Sequence, residues 1–160
     1  MDQFEKDRSF GSKLIKENLI YMKEFLENRS DPLSDKIEEL LLDKTTFNKY
    51  MPEFLTDDAV EIRRAATEIC AVITDLNDDF LSIAEQLLED SDPDVVSSAR
   101  MMLVKHNRGS DELNTSIAAG LFGNESHVRL DATLAAFQAQ KSTDVSKRAL
   151  LAVLDESSEL

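Results

Sequence analysis

Apolar residues return along this chain at helical spacing, three or four apart, in one segment after another, not in the alternation of a half-buried strand. One helix is predicted over Leu14, Ile15, Asn18, Leu19, Met22, Phe25 and Leu26, and a shorter one over Leu33, Ile37, Leu40 and Leu41 after Asp31-Pro32. From residue 45 onward the pattern also repeats. Leu55, Leu88, Leu121 and Leu154 stand 33 apart, as do Ile62, Val95 and Val128, and Ala66, Ala99 and Ala132. Thr45, Asp78, Asp111 and Asp144 share the register, each just ahead of a new apolar pattern, where a side-chain oxygen can cap the first turn of a helix.

Each unit therefore predicts two helices. The first carries Phe47, Tyr50, Met51, Phe54 and Leu55 in one copy and Phe80, Ile83, Ala84, Leu87 and Leu88 in the next. The second carries Ile62, Ala66, Ile69, Cys70 and Ile73, then Val95, Ala99, Met102 and Leu103, then Val128, Ala132, Ala135 and Ala136. The small residue of the alanine column lets paired helices approach closely. Between them, EDSDPDVV offers Asp92 as an N-cap and Pro93 as a first helical residue, whose missing N–H costs nothing there. That acidic cluster reads as a helix start: it has neither the ligand spacing nor the glycine bend of a calcium loop.

With the columns aligned, FLTDDAVEIRRAATEI, LLEDSDPDVVSSARMM and LFGNESHVRLDATLAA resemble the HEAT-repeat family and its bacterial HEAT-like relatives over about residues 45 to 155. Arg63 and Arg129 meet the family's arginine position, Val96 departs from it, and Gly123 replaces the aspartate of the third turn. The resemblance implies an all-α, right-handed α-solenoid of about nine helices in helical hairpins with a 33-residue period. Residues 1–160 would then be one domain: 1–44 cap the N-terminal end, 45–143 form three repeats, and 144–160 supply a closing helix and tail. For function the resemblance implies mostly protein binding, and occasionally chemistry.

Charge narrows this. Lys and Arg number 18 against 32 Asp and Glu, a net charge of −14. Such a chain repels a phosphate backbone and is steered toward a basic partner, so no direct nucleic-acid binding is expected. HEAT-like DNA glycosylases hold the duplex in a basic, aromatic-lined groove, and a chain with no Trp and this acidic excess does not fit them. The single cysteine, Cys70, lies in the apolar run EICAVI as a buried, inert thiol, in keeping with a reducing compartment. MDQFEKDRSFGSK is no signal peptide, and no apolar run approaches the roughly 20 residues of a bilayer span, so a cytoplasmic protein is expected. The two histidines, His106 near a helix C-terminus and His127 in a first turn, build no metal spacing or Ser-His-Asp arrangement. No catalytic residue, metal or cofactor is expected, and the bilin-lyase activity of some HEAT-like enzymes finds support only in the shared repeat.

The sharper signal lies on the second helices, which the resemblance places along a concave side. Away from their core columns they present Arg64, Thr67, Glu68 and Ala71, then Ser97, Arg100, Met101 and Val104, then Leu130, Thr133, Leu134 and Phe137. This stripe turns apolar toward the C-terminal end. An apolar patch rimmed by charge is what a protein interface looks like. The candidate partner-binding residues are Arg64, Glu68, Arg100, Met101, Val104, Leu130, Leu134 and Phe137. A covering C-terminal segment, a strongly curved superhelix or a homodimer would satisfy the same residues. The reading is a non-enzymatic module that binds and inhibits or regulates a basic protein, in the manner of an immunity protein or a nucleic-acid mimic. A scaffold or adaptor subunit and a bilin-lyase-like enzyme are the alternatives.

Overall fold

The structure, a computed structural model, describes residues 3–10, 12–40 and 42–138, without the side chains of 7–10, 12, 137 and 138. The closing helix expected at 144–154 lies outside the described residues. Among those described the protein is all-helical, with no strand: α1 (Gln3–Phe10), α2 (Ser12–Asn28), a 3₁₀ segment (Pro32–Glu39), α3 (Lys44–Leu55), α4 (Val60–Val72), α5 (Asp78–Leu87), α6 (Pro93–Lys105), α7 (Asp111–Leu121) and α8 (Ser126–Gln138).

The caps explain the boundaries. Asp43 accepts from the Thr46 N–H at 2.8 Å, Asn77 from Asp79 at 3.1 Å and Phe80 at 3.3 Å, and Ser110 from Leu113 at 3.1 Å. These caps lie one or two residues ahead of the Thr45, Asp78 and Asp111 expected in that role. An N-cap is the last extended residue, whereas Asp78 and Asp111 are already helical, and their charges instead face the positive end of the helix dipole. Asp92 does cap α6, accepting from Asp94 and Val95 at 3.1 Å each, with Pro93 next. At the other ends, Ser30 (φ 57°) and Asn107 (φ 53°) take the left-handed conformation. The N–H groups of Asp31 and Arg108 then reach back to Leu26 and Leu103, each at 2.9 Å, and close two helices.

The second predicted helix is a 3₁₀ segment, not an α-helix. Three residues per turn bring Ser34, Ile37 and Leu40 onto one line, and all three are buried. The 3.6-residue period of an α-helix would rotate that line away from the core.

Packing forms two rows. In one, α2, α4, α6 and α8 lie side by side, each touching the next; in the other the 3₁₀ segment, α3 and α5 do the same, and α7 packs on α6 and α8. The core runs between them and includes Ile62, Val95, Ala66, Ala99 and Ala132, all fully buried, whereas Val128, expected in the same column as Ile62 and Val95, is only half-buried. Three phenylalanines connect α1, α3 and α5: Phe4 meets Phe47 edge-on at 5.3 Å between ring centres, and Phe47 stacks on Phe80 at 5.5 Å. Cys70 is wholly buried, and burial pushes its thiol up, which makes it inert.

A candidate partner-binding face

Arginines join three turns in series, those at 29–31, 57–59 and 90–92. Arg29 donates to Asp57 at 2.8 Å. Arg63 forks onto Asp90 (Nε 2.7 Å, Nη2 3.1 Å) and gives Nη1 to the Asp57 carbonyl at 2.9 Å. Arg129, 66 residues later, gives Nη1 to the Gly123 carbonyl at 2.8 Å, the same bond 66 residues on. Arg64 reaches Asp92, so that carboxylate both caps α6 and holds α4.

These bonds set the pH response. The Arg29 guanidinium holds Asp57 below the usual carboxylate range, and Arg64 does the same for Asp92. Burial would raise Asp90, but the bonds from Arg63 and the Asp92 N–H outweigh it and the net shift is downward. Carboxylates with depressed folded values bind fewer protons folded than unfolded. Their contribution is complete above the ordinary aspartate value of 3.8 and is lost as pH falls through the lower folded values. Thermal melts should therefore change little through these groups between pH 7 and 5 and fall steeply below pH 4; an unchanged midpoint at pH 3 would contradict the pairing.

The candidate residues divide. Leu130 (56% exposed) and Leu134 (48%) are open, and Arg64 is exposed beside Asp92 and Asp94. Glu68 and Met101 are half-buried. The Phe137 side chain lies outside what is described. Arg100 and Val104, expected on the open stripe, are buried at 4% and 5% exposure. The reason is position: α6 touches α4, α5, α7 and α8, so both flanks of its outward stripe are covered, and Thr67 of α4 is buried in the same way.

What remains open at the centre is a cleft of ≈ 200 Å³ lined by Glu68, Ala71, Asp94, Ser97, Ser98, Met101 and Asp131. Met101 and Ala71 form an apolar floor, and three carboxylates stand around it. Glu68 accepts from the Asn18 amide at 2.9 Å and Asp131 from the Ser97 hydroxyl at 2.8 Å, so both take neutral donors. Asp94 lies 3.4 Å from His127 Nε2 and 3.6 Å from Arg64 Nε. No family model matches the chain, and no curated protein or solved structure does so either.

Sequence reading missed Asp94 and Asp131. Asp94 was absorbed into the helix start, which it also serves. Asp131 stands where Ser98 and Ala65 stand one and two periods earlier, and a charge breaking a column of small residues was the available signal.

Elsewhere chemistry is sparse. His106 Nε2 accepts from the Leu76 N–H at 3.3 Å, which leaves Nδ1 to donate to the Met102 carbonyl at 2.8 Å. It thereby ties the segment ahead of α5 to the end of α6. A cleft of ≈ 340 Å³ under the α6–α7 connection has Arg108 as its one charged lining residue, and Arg108 is engaged with Glu85 and Asp78. Among the described residues no group of His, Cys, Asp or Glu is arranged to hold a metal, and no helix is long and apolar enough to cross a membrane.

Proposed function

We propose that this chain is a HEAT-like α-solenoid that binds another protein rather than catalysing a reaction, and that the cleft over Met101 receives a basic side chain of that partner. The cleft itself carries the reading: three carboxylates around an apolar floor. A lysine or arginine lays its methylene stem on Met101 and Ala71 and brings its head to Glu68, Asp94 and Asp131. The net charge of −14 steers a basic protein toward it and raises the association rate. Support for the solenoid comes from the two packed rows and from the bond that Arg63 and Arg129 share 66 residues apart.

The test is capture from the native cell extract followed by kinetics on the purified partner. Reversing two charges, Glu68→Lys with Asp131→Lys, is expected to slow association by about tenfold or more at low salt and to flatten its salt dependence. Association that ignores both salt and these substitutions would end the basic-partner reading. If Leu134→Asp abolished binding while the charge reversals did nothing, the partner would be neutral and held at the exposed end of α8, as in a scaffold or adaptor.

A further inference from the structure

Three exchanges coincide where α6, α7 and α8 meet. Val96 stands 33 residues after Arg63 and 33 before Arg129, and replaces a guanidinium that both neighbours anchor on a turn carbonyl. Arg100 stands 33 after Thr67 and 33 before Thr133, whose hydroxyls only turn back onto their own helices at 2.8 Å. Gly120 stands 33 after Leu87, a buried core leucine. The first exchange removes bulk at the start of α6. The other two form a complementary pair: a Cβ at position 120 would come within 2.6 Å of Arg100 Nη1 and 2.8 Å of the Ala132 Cβ, so the missing side chain of Gly120 admits both the guanidinium and the close approach of α8.

Packing does not require that guanidinium. Arg100 is 4% exposed, its Nε donates to the Ser116 hydroxyl at 2.9 Å, and its Nη1 is buried with no hydrogen-bond partner among the described residues. Among the described residues no carboxylate pairs with it: Asp131 acts on it only at a distance and is bonded to Ser97. Native proteins seldom leave a buried charge uncompensated, because desolvation is costly and only a close counter-charge repays it. Rule-breaking positions that packing does not explain mark functional sites.

Arg100 also lines a cleft of ≈ 250 Å³, together with Asp90, Ser91, Pro93, Val96, Ala119, Gly120 and Val128. Its walls are mostly apolar. Its acid, Asp90, is already matched by Arg63. One uncompensated positive charge beside a small apolar chamber, in a strongly acidic protein, selects a ligand with one negative charge and an apolar body. We propose that this cleft binds a small organic monocarboxylate, whose carboxylate meets the Arg100 guanidinium while its hydrocarbon part lies against Val96, Pro93 and Val128. A doubly charged phosphate is disfavoured by Asp90, which lines the same cleft.

The test uses the full chain and three probes at constant ionic strength: hexanoate, its neutral isostere hexanamide, and inorganic phosphate. Hexanoate is expected to shift the Arg100 Nε–H resonance saturably and to raise the melting temperature in step with it. Hexanamide and phosphate should do neither. Arg100→Met, which removes the buried unpaired charge, should melt higher than wild type without ligand and lose the hexanoate response. Val96→Met, which fills the chamber and keeps the guanidinium, should lose it too. The proposal is overturned if Arg100→Met responds as wild type does, if hexanamide matches hexanoate, if phosphate matches it, or if no probe moves the Arg100 resonance.

Discussion

Replacing Phe47 by alanine should lower the stability of this protein by about 4 kcal/mol, the largest effect expected of any single truncation in it. Phe47 is 1% exposed and touches an aromatic ring on each side, Phe4 at 5.3 Å and Phe80 at 5.5 Å. The loss combines the transfer of a whole benzyl group with the cavity left behind, and two ring contacts worth about 0.5–1.5 kcal/mol each go with it. The cavity cannot easily collapse, because α3 is held between the 3₁₀ segment, α4 and α5. For a domain of this size the change corresponds to a fall of about 8–16 °C in melting temperature, measurable by circular dichroism. A loss below about 1.5 kcal/mol would mean that the three rings do not form a continuous core.

The second large effect is expected at Asp90. Its side chain is 8% exposed and that of Arg63 15%, so the pair is screened little by solvent. Asp90→Ala leaves Nε and Nη2 of Arg63 without partners and also removes the acceptor of the Asp92 N–H at 2.9 Å. Removing one member of a buried pair costs about 3–5 kcal/mol. The lower end applies here, since Arg63 keeps the carbonyls of Asp57 and Asp58. The control is the double variant Asp90→Ala, Arg63→Met, which should recover most of the loss because no charge is left stranded. Equal destabilisation by the single and double variants would place the cost in the turn backbone rather than in the ion pair.

Helix content and most core residues were legible from periodicity, because Ile62, Val95, Ala99 and Ala132 face inward at a spacing that only a helix provides. Capping was legible at Asp92, where proline fixes the start, and shifted at Asn77 and Ser110, where several residues in a row could serve. The tight winding of 32–39 was not visible, because spacings of three fit both kinds of helix over so short a segment. For the candidate face the limit was different. Amphipathic spacing says which side of a helix leaves its own core, and it does not say whether a neighbouring helix covers that side. That is why Leu130 and Leu134 are open while Arg100 and Val104 are not. It also left the unpaired guanidinium of Arg100 unread, since its significance depends on the empty place at Gly120.

Asp90 and Asp92 sit two residues apart in the turn before α6, and they take adjacent arginines of α4, Arg63 and Arg64. Two neighbouring side chains on a rigid helix thus grip two points of one short connection. An insertion or deletion of a single residue between them would move one carboxylate off its arginine and uncap α6 together. Lineages of this protein should therefore vary in length elsewhere and hold the number of residues between Leu88 and Pro93 constant.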